Sequence, residues 1–246
     1  MENNCTFAAL LNMGRYTVLL LLLLFGIQTL TAQPAELPEA CGMTVSDHQG
    51  NVYQTVKIGS QCWMAENMRC TTSPTGKSWA QNPSYSFSEP MFASYYAVPK
   101  DNRYGLLYNW SSAMDLGVNE CFAHTSSIHH RGICPKGWHL PTSHEWNVLL
   151  KHLGGTREAG AVMKGEKGMW RTPLVIKSDD NGFSALPAGL YTENRMQDVG
   201  ASAFFWSSSA YDEIHAWQCG VFNHNSDSYN CMEYKCYGCS VRCVKN

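Results

Sequence analysis

The sequence predicts a single α+β domain stapled by disulfides, and three observations carry that expectation. A strongly periodic helix lies mid-chain behind a capping box, at residues 142–153. Strand-like segments follow it, separated by polar turns. An apolar N-terminal run precedes an even set of cysteines, the pattern of an exported, cross-linked chain. The 246 residues are 44% apolar, 12% aromatic and only 15% charged, which supplies a core and excludes a disordered chain. A net charge of −2 leaves no basic field to hold nucleic acid.

Residues 18–27 read VLLLLLLFGI, ten apolar residues preceded by Arg15. A membrane-spanning helix needs about 20, so the run fits a secretory signal peptide. Thr29, Thr31 and Ala32 supply small residues for cleavage after Ala32. An uncut signal anchor is the alternative. Residues 1–32 are thus expected to be signal peptide, 33–43 a short Pro-containing leader and 44–246 the domain. The expected location is the cell surface or the medium, with membrane contact only before cleavage. Cys41 follows Leu37-Pro38-Glu39-Ala40 rather than the apolar run itself, which argues against lipid attachment. Of the 11 cysteines, Cys5 falls in the signal peptide to be removed, and ten remain: Cys41, Cys62, Cys70, Cys121, Cys134, Cys219, Cys231, Cys236, Cys239 and Cys243. That even count predicts disulfides, with on the order of a thousand possible pairings.

In the domain, Val52-Tyr53 and Val56-Lys57-Ile58 stand between Gly50 and Gly59, and residues 44–69 read as two or three short strands. Residues 71–103 are aperiodic and polar, a long loop with a little strand near 92–96. Ser111 is placed to cap a short helix running to Leu116. Thr142 and Glu145 have capping-box spacing, and Trp146, Leu149, Leu150 and Leu153 mark one helix face that ends at Gly154-Gly155. A shorter helix is expected at 158–164. Strands are expected at 183–186, 204–208, 216–222 and 240–245.

Six segments stand in a familiar order: GNVYQTVKIGSQCWMAENMR (50–69), GLLYNWSSAM (105–114), ICPKGWHLPTSHEW (133–146), GFSALPAG (182–189), FWSSS (205–209) and SVRCVKN (240–246). Together they resemble the Fibrobacter succinogenes major paralogous domain family across essentially the whole mature chain. That resemblance implies a C-type-lectin-like fold: two helices around a small twisted antiparallel sheet, with the first and last strands brought together. It also implies a disulfide between Cys134 and Cys243. HLPTSHEW followed by a Gly-Gly helix end further resembles the formylglycine-generating enzyme domain, which shares that fold. Such folds host binding and catalysis alike.

The residues that could carry chemistry have plainer readings beside them. Calcium-dependent lectins use a Glu-Pro-Asn or Gln-Pro-Asp loop and a Trp-Asn-Asp strand. Here Glu89-Pro90 is followed by Met91, and Asn109-Trp110 by Ser111. Asn223, Asn225 and Asp227 form an oxygen-rich segment that reads better as a polar turn than as a metal loop. Cys121, His124, His129 and His130 carry zinc-ligand chemistry at a spacing that matches no standard site. Cys236 and Cys239 form a C-x-x-C, which after an export signal reads as structural disulfide before redox pair. Glu145 reads as a helix cap, Asp179-Asp180 as a turn, and Ser207, Ser208 and Ser209 as strand. Neither metal nor cofactor is expected. Trp63, Trp138, Trp146 and Trp206 are assigned to the core. Trp79, Tyr85, Tyr95, Tyr96, Tyr191 and Tyr211 are the exposed aromatic candidates.

These readings converge on an exported, non-catalytic binding protein whose ligand is a glycan or a protein. Its expected contact loop is 191–203, with Tyr191, Glu193, Asn194, Arg195 and Asp198, assisted by Asn223, Asn225 and Asp227. A fibre or adhesin subunit and a thiol- or copper-dependent enzyme are the competing classes.

Overall fold

The computed structural model describes residues 41–81, 94–97, 102–123, 129–165, 167–177 and 181–246. The expected signal peptide, residues 33–40 of the leader, Cys5, Tyr85, Glu89-Pro90-Met91, His124 and Asp179-Asp180 lie outside the described residues.

Strands β1 (Thr44–Ser46), β2 (Val52–Ile58) and β3 (Gln61–Met64) form the expected antiparallel run. Asp47 organises its first turn: its carboxylate accepts from the Gln49 and Asn51 N–H groups at 2.9 and 3.0 Å and from the Tyr53 hydroxyl at 2.7 Å. A small sheet follows, β4 (Ala80–Gln81) parallel to β5 (Ser94–Ala97), itself antiparallel to β6 (Leu106–Tyr108). Helix α1 (Trp110–Ala113) is capped by Asn109, whose Oδ1 accepts from Ser112 N at 3.1 Å. Ser111 is therefore not the cap. The helix also stops before Leu116, because Asp115 takes a left-handed φ of 51°. Helix α2 (Val118–Ala123) and β7 (Trp138–His139) lead to the predicted helix, α3 (Ser143–His152).

The capping box of α3 is complete. Thr142 Oγ1 accepts from Glu145 N at 3.2 Å, and Glu145 Oε2 accepts from Thr142 N at 2.8 Å. Trp146, Leu149 and Leu150 are buried, each contributing about 2 kcal/mol of apolar burial. Helix α4 (Ala159–Met163) matches the second expected helix. The hairpin of β8 (Leu190–Thr192) and β9 (Arg195–Gln197) precedes three long strands, β10 (Ser202–Ala210), β11 (His215–Phe222) and β12 (Ser228–Tyr234), paired antiparallel in that order. Strand β13 (Val244–Lys245) inserts between β3 and β7, so the first sheet runs β1-β2-β3-β13-β7.

Two expected strands are reduced. Residues 183–186 make only one bridge, Ala185 to Lys164, since Ser184 turns through φ 51°. Residues 240–245 pair as a strand only at Val244–Lys245, because Arg242 turns inward. Its guanidinium lies 4.4 Å from the Phe183 ring centre and 5.3 Å from that of Phe205. It donates to Asn67 Oδ1 at 2.8 Å and Ser184 O at 2.9 Å, and also to Phe183 O.

Trp63 and Trp146, 4.7 Å between ring centres, join Phe183 and Phe205 in the core. Trp138 and Trp206 are buried as expected. The FWSSS segment is structural: β10 bulges between Trp206 and Ala210, Trp110 Nε1 donates to Ser207 O at 2.8 Å, and Ser209 Oγ accepts from Ser143 N at 3.0 Å. Among the described residues two disulfides are present, Cys41–Cys62 and the family-implied Cys134–Cys243. The expectation of complete pairing fails: Cys70, Cys121, Cys219 and Cys239 are buried thiols, serving as small apolar core residues.

Candidate functional site

The expected contact loop is a β-hairpin. Glu193 and Asn194 occupy its two-residue turn with φ 49° and 62°, the conformation of a type I′ turn, which Asn tolerates. Glu193, Asn194 and Arg195 are exposed, and Arg195 lies 3.4 Å from Glu193 Oε2. The hairpin base is fixed to the domain: Tyr191 N donates to Gly238 O at 2.9 Å, and Gly238 N to Tyr191 O at 2.8 Å. Tyr191 is accordingly half-buried. Asp198 sits beyond β9 at φ 57°, and its carbonyl accepts from Ala201 and Ser202 at 2.8 and 3.0 Å.

Beside this hairpin runs a row of rings. Tyr237 packs on Tyr234 at 5.4 Å, Tyr234 on His215 at 4.5 Å, His215 on Tyr211 at 6.4 Å and Tyr211 on Trp217 at 5.3 Å. Register explains the convergence: His215 pairs with Tyr234 and Trp217 with Met232 across β11 and β12. The β10–β11 turn adds Tyr211, 52% exposed, and Ile214, 47% exposed, while Met232 is 50% exposed. Burial raises the Tyr237 hydroxyl pKa, and Tyr237 directly precedes Gly238, which pairs with Tyr191 at the hairpin base. The β10–β11 turn itself is held by side-chain hydrogen bonds. Asp212 Oδ1 accepts from Ile214 N at 2.9 Å and His215 N at 2.7 Å, and both its oxygens reach His215 Nδ1. The hydrogen bond from His215 lowers the Asp212 pKa.

The second group of expected contacts lies elsewhere. Asn223, Asn225 and Asp227 sit in the β11–β12 turn, at the opposite end of β11 from His215, about 24 Å away by strand rise. Their polar groups serve the fold. Asn223 Nδ2 donates to Arg171 O at 3.1 Å, and Asn225 Oδ1 accepts from Asp227 N at 3.1 Å. The buried Lys164 ammonium donates to Asn225 O at 2.8 Å and Val175 O at 2.7 Å. Gly160 of α4 allows the Asp227 carbonyl to pack where a Cβ would collide. The turn is a packed structural element, and it does not join the hairpin in one site.

The Cys121–His130 group does not converge either. Cys121 is buried, with its carbonyl accepting from Lys235 Nζ at 3.0 Å. His130 Nε2 bonds Met114 O at 2.7 Å. His129 instead packs its ring 4.6 Å from that of His139. The thiols are poorly suited to nucleophilic work. Burial pushes Cys70, Cys121 and Cys219 up to about 12 and Cys231 up to about 11. Sequence reasoning flagged Tyr191 and Tyr211 but missed Trp217, His215, Tyr234 and Tyr237. The available signal is the alternation of His215, just before the expected 216–222 strand, with Trp217 inside it.

The Fibrobacter succinogenes major domain family model matches residues 56–245. No curated protein and no solved structure shows significant similarity to the chain. With the family pattern spanning most of its length, the chain belongs to the Fibrobacter succinogenes major domain family.

Proposed function

We propose that the protein is exported and acts at the cell surface or outside the cell as a non-catalytic binding module of C-type-lectin-like fold, with a glycan as its ligand. One observation carries the reading: the ring row from Tyr237 to Trp217 lies beside a hairpin whose base is bonded to Gly238 and whose tip bears exposed Glu193, Asn194 and Arg195. Aromatic faces supply apolar contact at low entropic cost, and the tip supplies hydrogen bonds. The fold assignment draws on the entry of β13 between β3 and β7, which brings the domain's two ends into one sheet. The raised thiol pKa values favour binding over thiol chemistry. An alternative role as a fibre subunit draws on β12, an edge strand among the described residues with Tyr229 and Met232 exposed.

A glycan array on the oxidised protein, run with calcium and again with chelator, tests the reading. Binding that survives chelation and falls at least about tenfold in Trp217→Ala is expected. Binding abolished by chelator, or unchanged in Trp217→Ala, overturns this site. No binding in either buffer overturns the glycan assignment and moves the weight to a protein partner.

A further inference from the structure

A second constellation includes Glu145 of α3's capping box and uses none of the ring-row residues. His129, His139 and Glu145 each offer one ligand atom, and these atoms lie within 4.8 Å of one another. His139 is 4% exposed, Glu145 is half-buried and His129 is exposed. His129 and His139 also line a cavity of about 340 Å³, together with Arg131, Gly137, Trp138 and Asn246.

We propose that His129, His139 and Glu145 bind a divalent transition-metal ion, zinc by preference, with a coordination position open to this cavity. The donor set is two imidazoles and one carboxylate, which suits a borderline-soft ion and leaves a fourth tetrahedral position for water or a ligand oxygen. Each fixed ligand is already oriented. Glu145 Oε2 is held by Thr142 N at 2.8 Å and Thr142 Oγ1 at 2.9 Å, so Oε1 is the oxygen turned to His139. His139 Nδ1 bonds Asn246 Oδ1 at 2.7 Å, which fixes the ring and leaves Nε2 as the ligand nitrogen. Asn246 is itself placed by the β13–β7 pairing and by its N–H to Gly137 O at 3.1 Å. Without metal, a proton bridges His139 Nε2 and Glu145 Oε1 at 2.8 Å. The ion takes the place of that proton, which leaves to solvent, and draws His129 in as the third ligand.

Cobalt(II), titrated into the purified oxidised protein and then displaced by zinc, tests this directly. One equivalent is expected to give a visible ligand-field band with no sulfur-to-metal charge-transfer band. His129→Ala, at an exposed position, is expected to weaken binding at least about tenfold with an unchanged circular dichroism spectrum. Asn246→Ala is expected to weaken it by about 10–100-fold. Absence of stoichiometric binding, a sulfur charge-transfer band, or wild-type affinity in His129→Ala would each overturn the assignment.

Discussion

Replacing both cysteines of one disulfide by alanine measures how each loop closure stabilises the domain, and the two bonds should differ by a calculable amount. Cys134–Cys243 closes a separation of 109 residues and Cys41–Cys62 one of 21. Loss of loop-closure entropy in the unfolded chain then amounts to about 4.8 kcal/mol for the long loop and about 3.3 kcal/mol for the short one. Cys134 and Cys243 are also fully buried in the core beside Ile133 and Val241. Deleting each sulfur there resembles deleting a buried methyl, about 1 kcal/mol apiece. Cys41 and Cys62 are half-buried, so their removal adds little. The long-loop variant should therefore lose on the order of 6–7 kcal/mol, comparable with the whole stability of an ordinary domain. The short-loop variant should remain folded. Urea unfolding followed by tryptophan fluorescence, with each bond removed in the presence of the other, checks the order. A short-loop variant as destabilised as the long-loop one, at equal m-value, would refute the entropic reasoning.

Lys164 is buried, and burial lowers its pKa to about 8 from an unfolded value of 10.5. Between those values the unfolded chain binds more protons, so wild-type stability should rise with pH from 8 to 10.5 relative to Lys164→Met, by on the order of 2–3 kcal/mol; parallel pH profiles would contradict this. Alkylation at pH 8 should leave Cys70, Cys121, Cys219 and Cys239 unmodified in the native protein and label all four in urea, as peptide mapping would record. Native labelling of Cys219 would show that the β10–β11–β12 sheet opens.

The parts of the fold legible in the sequence are those specified locally. Helix α3 is one, since Thr142, Glu145 and the 3.6-residue apolar stripe all act within three turns. Strand β12 was hidden because it is half-exposed on both faces, with Tyr229 and Met232 outward and polar Ser228 buried. The 190–197 hairpin is not legible as one, because its turn uses Glu-Asn rather than Asn-Gly. Counting cysteines misled because a buried thiol packs like any small apolar side chain, and parity does not distinguish the two uses. The ring row joins residues 211–217 with 234–237, a proximity created by strand register and absent from spacing. His129, His139 and Glu145 likewise meet because β7 leads straight into the capping box and the His130–Leu140 bridge sets His129 beside it.

The sheet β1-β2-β3-β13-β7 holds both ends of the folded unit, and that determines how tension would travel through it. A pull between Cys41 and Lys245 enters β3 at once through the Cys41–Cys62 bond. It crosses to β13 through the Trp63–Val244 pairing and the Met64 N to Cys243 O bond of 3.0 Å. Cys134–Cys243 acts as a covalent stop behind that junction. The β10–β11–β12 sheet lies off this load path. A module pulled at its ends can bear force through the β3–β13 junction while the sheet that carries the ring row stays mechanically slack.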